Sequence, residues 1–137
     1  MSSTAAPTHR TRVVIVGGGI MGASTAYHLA RSGISDVVLV EAEELAAGSS
    51  GKPLGGVRAQ FSDPANILLG QRSLRAFRGF AGEFGVDIGF QQVGYLFALD
   101  DRADIARFEA IAALQHELGV RSHMLAPREA VTLCPYL

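Results

Sequence analysis

The sequence predicts an α/β fold built on a strand–helix–strand unit, and three observations predict it. Two short aliphatic runs, Val13–Val16 and Val37–Val40, have the composition of parallel strands that are covered on both faces. Between them, residues 20–32 place apolar side chains at near-helical spacing, and Gly33 follows as a C-terminal stop. Two strands joined by one helix predict a parallel βαβ unit with a right-handed crossover.

The rest of the chain alternates between predicted helices and weaker strand signals. Small residues dominate 48–56 and predict a loop, preceded by one helical turn at Glu43–Ala47. Pro64 can open a long helix, and Asp100 can cap another. Three further elements are predicted: a strand pair or bent strand at Phe90–Leu99, a weak strand at Ser122–Leu125 and a short helix at Pro127–Leu133.

Composition excludes several classes of protein. The 137 residues correspond to about one domain. Twelve Lys plus Arg against thirteen Asp plus Glu leave no basic face for a nucleic acid. No apolar run has the length of a membrane span, and residues 1–9 lack the apolar core of a signal peptide. The single cysteine, Cys134, cannot form an internal disulfide, and no Cys/His cluster has zinc-ligand spacing. We therefore expect a cytoplasmic protein with no metal site, no membrane span and no nucleic-acid partner.

A glycine-rich turn carries the strongest functional signal. Residues 17–22 satisfy G-x-G-x-x-G directly after a strand and at the start of a helix, which is the context that a dinucleotide-binding turn requires. The first glycine permits a tight turn, the second lets a pyrophosphate approach the backbone, and the third lets the helix pack closely on the strands. We expect a Cβ at any of the three to intrude, and we expect the phosphate charge at the helix N-terminus. The residues predicted to hold it are Gly17, Gly19, Ile20, Met21 and Gly22.

An acidic residue at the end of the second strand extends this signal. Glu41 follows Gly22 by 19 residues, the spacing at which an acid binds ribose hydroxyls and disfavours the 2'-phosphate of NADP. NAD and FAD both remain possible ligands. The order of elements favours FAD, because a loop, a long helix and sheet-like segments follow in place of further βα units. The alternative is a glycine-rich turn with an exposed strand-end glutamate and no ligand.

Three blocks, residues 13–33, 37–58 and 93–99, resemble the D-amino-acid-oxidase-like family of FAD-dependent oxidoreductases, above all its sarcosine oxidase, dimethylglycine dehydrogenase and glycine oxidase branch. The resemblance implies a three-layer Rossmann-like FAD-binding domain at 12–89. Residues 1–11 before it are expected to be a flexible tail. It also implies the beginning of a substrate domain with a mixed or antiparallel sheet at 90–137. The implied cofactor is FAD, and the implied reaction is hydride transfer from a small amino acid or N-methylated amine to FAD, which leaves an imine.

The resemblance also assigns roles after the second strand. The Gly-Ser-Ser loop is expected to lie along the cofactor, with Ser49, Ser50, Lys52, Leu54 and Gly55 near it. Pro53 stands where asparagine is common among relatives, which removes an N–H from this loop. Arg58 is expected to face the flavin or a substrate carboxylate, which a planar guanidinium binds with two hydrogen bonds. The alternative for Arg58 is an ion pair with an acid or phosphate elsewhere.

Chain length sets the remaining expectations. Members of this family are several hundred residues long and form much of the substrate pocket near a distant C-terminus, so the chain is expected to be the N-terminal part of an oxidoreductase. Association through exposed apolar surface, or with a missing C-terminal half, is expected as well. Two alternatives remain open. One is an FAD-linked enzyme for another substrate, such as a 2-hydroxy acid or glycerol phosphate, and the other is a non-catalytic dinucleotide-binding module that needs a partner chain.

Overall fold

A computed structural model describes residues 10–136 of the chain. These residues form two compact units that meet between Gly55 and Gly56 in sequence.

The first unit contains the predicted strand–helix–strand element. Strand β1 spans Val13–Val16, helix α1 spans Ile20–Arg31 and strand β2 spans Val37–Val40. The strands pair in parallel, with Val13 opposite Val37 at one end of the ladder. The prediction of an α/β, Rossmann-like βαβ unit is therefore confirmed, in an incomplete form with two strands.

Helix α1 covers one face of this strand pair. Side chains alternate along each strand between half-buried and exposed positions. Ile15 and Leu39 belong to the half-buried set, whereas Val14 and Val16 on the other face are 56% and 83% exposed. Aliphatic runs of this kind predict cover on both faces, but within residues 10–55 the described elements supply one covering helix. One aliphatic face of the sheet is consequently open in this unit.

The loop after β2 has more structure than the sequence predicts. The predicted helical turn forms as a hydrogen-bonded turn in which the Ala47 N–H donates to the Glu44 carbonyl at 3.1 Å. A single 3-10 turn at Ser49–Gly51 follows it. Gly51 is required there, because a Cβ would lie 2.6 Å from the Ala46 carbonyl oxygen. Ala46 itself has a left-handed φ of 62°. The loop is thus a defined, tightly folded segment.

Residues 56–136, the described part of the second unit, contain three helices. Helix α2 spans Pro64–Phe84, α3 spans Arg102–Glu117 and α4 spans Pro127–Leu133. The predictions for α2 and α4 are confirmed at their first residues. Helix α2 begins at proline because Asp63 caps it, with a carboxylate oxygen that accepts the Asn66 N–H at 3.0 Å.

Helix α3 begins one residue later than predicted. Asp101, not Asp100, is its cap, and the Asp101 carboxylate accepts the Ala103 N–H at 2.8 Å. Both aspartates have the right chemistry, but only the one directly before the first helical residue can reach an N–H of the first turn. The prediction of Asp100 as the cap was therefore wrong by one position.

The predicted strands at Phe90–Leu99 and Ser122–Leu125 are not formed in the structure. A strand needs a neighbouring strand to complete its backbone hydrogen bonds, and the described elements of residues 56–136 are all helices. Aromatic contacts hold the first of these segments instead. The ring of Phe97 lies 5.7 Å from that of Phe108 on α3.

A small core joins α2 and α3 to the segment that precedes α2. Ala59 and Ile67 are the buried apolar residues among the described ones. Gly70 permits close approach of that segment, because a Cβ there would lie 2.7 Å from the Arg58 carbonyl oxygen. The buried amide of Gln115 on α3 donates to the Phe61 carbonyl at 2.9 Å. Within residues 10–136, no helix combines the length and apolar character needed to cross a bilayer.

Candidate functional site

The turn between β1 and α1 depends on backbone conformation at its first glycine. Gly17 has φ +104°, a region that side chains other than glycine rarely adopt, and its N–H donates to the Val40 carbonyl at 2.8 Å. A Cβ at Gly17 would meet nothing within 4 Å. The prediction that a side chain would intrude there was wrong, because the constraint on Gly17 is conformational.

The other two motif glycines are constrained by space. At Gly22, a Cβ would overlap the Gly17 carbonyl oxygen and would lie 3.3 Å from Cγ2 of Ile15. This confirms that Gly22 lets α1 lie directly on β1. At Gly19, a Cβ would lie 3.0 Å from Oγ of Ser50, so the absence of a side chain leaves room for Ser50 to approach the turn.

Gly18 is a structurally constrained position of the turn that the motif does not specify. Its N–H donates to Oε2 of Glu41 at 2.5 Å, and its carbonyl accepts the Ala46 N–H at 3.1 Å. A Cβ at Gly18 would lie 2.5 Å from Cδ2 of Leu45 and 3.2 Å from Cβ of Glu41. The motif specifies glycine at the positions before and after Gly18 but allows any residue at Gly18 itself. The run of three glycines was therefore the one sequence signal that could have indicated a constraint at Gly18. Gly18 joins the turn to the end of β2.

Backbone donors surround the Glu41 carboxylate. Besides the Gly18 N–H, its Oε1 accepts the N–H groups of Ala42 at 2.7 Å and Glu43 at 3.1 Å. These bonds, with that from Gly18 the largest cause, lower the pKa of Glu41 below its ordinary value. Glu41 is therefore a carboxylate at neutral pH, held in one orientation beside the glycine turn.

The start of α1 is capped from the loop after β2. Gly19 is the N-cap residue and has no side chain with which to accept a first-turn N–H. Oγ of Ser50 takes that role and accepts the Ile20 N–H at 2.9 Å. Because a hydroxyl both accepts and donates, Ser50 still has its own O–H to offer to a ligand.

Gly19, Glu41 and Ser50 line an open cleft of about 300 Å³ within the first unit. Four predicted site residues line it together with five residues that were not predicted. The lining residues are Gly19, Glu41, Ala42, Glu43, Ala46, Ala47, Gly48, Ser49 and Ser50. The volume lies at the lower end of the range for small-molecule sites, so it matches part of a dinucleotide.

The other predicted residues of the first unit do not line this cleft. Ile20 and Met21 are exposed on α1, and Met21 borders a different hollow along the helix. Lys52, Leu54 and Gly55 follow the 3-10 turn, and Leu54 is fully exposed. Their predicted contacts with a cofactor stay predictions.

Arg58 belongs to the second unit and lies among aromatic rings. Its guanidinium carbon is 5.1 Å from the ring centre of Phe61, 5.4 Å from that of Phe97 and 6.0 Å from that of Tyr95. In the part of the chain that the structure describes, no carboxylate pairs with it. The alternative of an ion pair is therefore not observed among residues 10–136. No sequence signal linked Arg58 to Tyr95 and Phe97, because they lie far apart along the chain.

Most of the chain matches one protein family. The sequence model of the DAO family, FAD dependent oxidoreductase, matches residues 12–137. The chain belongs to this family.

Individual members of the family show the same likeness. The chain is 35% identical to human mitochondrial sarcosine dehydrogenase over 126 residues, which are 91% of this chain and 14% of that protein. It is 40% identical to human mitochondrial dimethylglycine dehydrogenase over 131 residues, 93% of this chain and 15% of that protein. The crystal structure of L-proline dehydrogenase from P. horikoshii superposes with a TM-score of 0.82 at 32% identity, covering 92% of this chain and 33% of that one. The chain thus spans about one seventh of the length of these two curated relatives.

The residues of the cleft fit the ADP part of the family's FAD. A Cβ at Gly19 would narrow the approach to the helix N-terminus, where N–H groups favour a phosphate. The ionised Glu41 carboxylate is an acceptor of the kind that ribose hydroxyls donate to. Among the described residues, no group of three or more His, Cys, Asp or Glu side chains is arranged to hold a metal ion.

Proposed function

We propose that this chain binds the ADP part of FAD in an oxidoreductase that oxidises a carbon–nitrogen bond of a small amino acid or N-methylated amine. The single observation that carries the proposal is the Glu41 carboxylate, fixed against Gly18 at the mouth of a strand–glycine turn–helix unit. Membership of the FAD dependent oxidoreductase family supports FAD as the cofactor. The names of the relatives, which act on sarcosine, dimethylglycine and proline, support the substrate class.

Glu41 serves as the acceptor for the adenosine ribose. A carboxylate offers about four acceptor positions, and three backbone N–H groups occupy three of them. Oε2 receives one hydrogen bond, from Gly18, and keeps capacity for a ribose hydroxyl. Because backbone donors already hold the carboxylate, little orientational freedom is lost when the ribose binds.

The start of α1 serves as the site of the pyrophosphate. The N–H groups of the first turn have no acceptor within the helix, and the helix dipole favours negative charge there. Ser50 accepts one of these N–H groups, from Ile20, and its O–H can donate onward to a phosphate oxygen. Lys52 follows Ser50 by two residues and adds a positive charge to the same loop.

The flavin supplies the two-electron oxidation, and the protein binds and orients the substrate. With FAD bound, a hydride from the carbon next to the substrate nitrogen would be taken up by the cofactor. The C=N bond left in the substrate would then be hydrolysed by water to a carbonyl group and an amino group. Arg58 either binds the substrate carboxylate with its planar guanidinium or faces the flavin. Because no described acid neutralises Arg58, we favour the first role.

An anaerobic titration of the purified protein, loaded with FAD, tests the proposal. Sarcosine, dimethylglycine and proline are added in turn, and the visible flavin band is recorded. The proposal predicts bleaching of the band by at least one of these amines and none by a 2-hydroxy acid or by glycerol phosphate. Bleaching by either of the last two alone would assign another substrate class. If the protein binds FAD tightly but none of these compounds bleaches the flavin band, the protein is a non-catalytic binding module.

A further inference from the structure

We infer that Phe61, Tyr95 and Phe97, together called the aromatic frame, position the Arg58 guanidinium to receive a carboxylate. The inference rests on the proposed function, in which Arg58 anchors the substrate. The guanidinium lies 5.1–6.0 Å from the three ring centres, within the range of cation–π attraction. Three rings on one guanidinium restrict both its position and its orientation.

The backbone of Arg58 is also fixed. Its carbonyl oxygen lies so close to α2 that a Cβ on the buried Gly70 would approach it to 2.7 Å. The next residue, Ala59, is 4% exposed. Arg58 is therefore held at its main chain by α2 and at its charged end by the aromatic frame.

Tyr95 also packs close to the start of this segment. Its hydroxyl lies against the backbone of Gly56, where a Cβ would overlap it. Phe97 packs in turn on Phe108 of α3, with 5.7 Å between ring centres. The aromatic frame thus packs both against the backbone near Arg58 and against a helix.

Aromatic rings hold a cation without neutralising it. They attract the guanidinium through their faces but give its five N–H donors no strong acceptor. Tyr95 and Phe97 are 44% and 39% exposed, so a small ligand can reach this region from solvent. The Arg58 guanidinium is therefore held in one position, has no carboxylate partner among the described residues and can be reached by a small ligand. In this state its N–H donors are free to bind a carboxylate with two hydrogen bonds.

Arg107 shows the contrasting arrangement on α3. Its guanidinium lies 5.5 Å from the ring of Phe108, but it also pairs with Asp104 at 2.9 Å. An arginine that already has a carboxylate partner on its own helix has less to gain from a second one. Arg107 is therefore the matched control for Arg58.

The test uses NMR signals of the arginine side-chain Nε–H groups and sarcosine as the probe. In the free protein, ring currents are expected to move the Arg58 signal, and Tyr95→Leu or Phe97→Leu is expected to return it toward its ordinary position. Sarcosine is expected to shift Arg58 and not Arg107. Either leucine variant should raise the sarcosine Kd about tenfold, whereas Tyr95→Phe, which keeps the ring, should stay within about twofold. Arg107→Gln should leave the Kd unchanged.

The inference is overturned if the leucine variants leave the Arg58 signal and the sarcosine Kd unchanged, or if sarcosine does not shift Arg58 in the parent protein. It is also overturned if Tyr95→Phe is as damaging as Tyr95→Leu. Phe61→Leu replaces either variant that fails to fold, as judged by circular dichroism. Loss of FAD binding or of flavin bleaching would refute the proposed function alone, because the Arg58 signal in the free protein is measured without flavin.

Discussion

Ser50 caps a helix that begins thirty residues earlier, because its hydroxyl oxygen accepts the Ile20 N–H at 2.9 Å. This bond ties the loop after β2 to the start of α1, where the N-cap residue is a glycine without a side chain. Ser50 also lines the cleft that we propose binds the ADP part of FAD. One residue therefore caps the helix and also lines the cleft.

Removal of this cap is expected to destabilise the protein. Ser50→Ala leaves the Ile20 N–H without its acceptor and should lower the free energy of unfolding by about 1 kcal/mol. Urea unfolding followed by circular dichroism measures the effect. Ser49→Ala is the control, because the neighbouring Ser49 is exposed and its side chain makes no hydrogen bond among the described residues. Equal losses in the two variants would show that the Ser50 bond contributes nothing.

Gly22 and Gly79 should respond to alanine in opposite directions. A Cβ at Gly22 would overlap the Gly17 carbonyl oxygen and force α1 away from β1, at a cost of about 1–3 kcal/mol. A Cβ at Gly79, inside α2, meets nothing within 4 Å and should stabilise the helix by about 0.5–1 kcal/mol. Thermal unfolding of both variants checks the signs. A stable Gly22→Ala variant would contradict the close packing of α1 on β1.

The contribution of Glu41 to stability should depend on pH. Its pKa is lowered in the folded protein, so the ionised form stabilises the fold above the unfolded pKa of about 4.3, and this contribution is lost as the pH falls through the folded value. Glu41→Gln should therefore be less stable than the parent at pH 7, with the difference shrinking as the pH drops below about 4. Urea unfolding across this range measures it. Glu43→Gln makes the same charge change at a residue whose side chain accepts none of these bonds, and it should show no such trend.

The two faces of the strand pair should tolerate substitution differently. Ile15 packs toward α1 at Gly22, so Ile15→Ala should cost about 2 kcal/mol. Val16 is 83% exposed, so Val16→Ala should cost less than about 0.5 kcal/mol. Chemical denaturation of both variants compares the costs. A larger loss for Val16→Ala would mean that the face opposite α1 is covered in solution.

Elements with local signals were predicted well. The aliphatic runs, the glycine turn and the capping residues fix β1, α1, β2, α2 and α4, because each signal lies within a few residues of the element it determines. The predicted strands at Phe90–Leu99 and Ser122–Leu125 failed because a strand depends on a partner elsewhere in the chain, which a local pattern does not reveal.

The residues of the candidate site likewise fall into those that local sequence signals predicted and those that depend on distant contacts. Gly19, Glu41 and Ser50 were predicted from motif spacing and family resemblance, and the structure brings them to one cleft. The role of Gly18 and the aromatic surroundings of Arg58 were missed, because both arise from contacts between distant residues. The division of the chain at residues 89 and 90, the cytoplasmic location and association through apolar surface stay predictions.

The most direct test of the central claim is an equilibrium titration of FAD with the purified protein, followed by flavin fluorescence and repeated with ADP as competitor. If the cleft beside Glu41 binds the ADP part of FAD, binding is saturable and ADP displaces the flavin. Glu41→Gln then weakens binding about tenfold or more, since a hydrogen bond to a charged group is lost, while Glu44→Gln, at an exposed residue that does not line the cleft, does not. FAD that binds equally well to Glu41→Gln and is not displaced by ADP, or that does not bind at all, would contradict the assignment of this cleft.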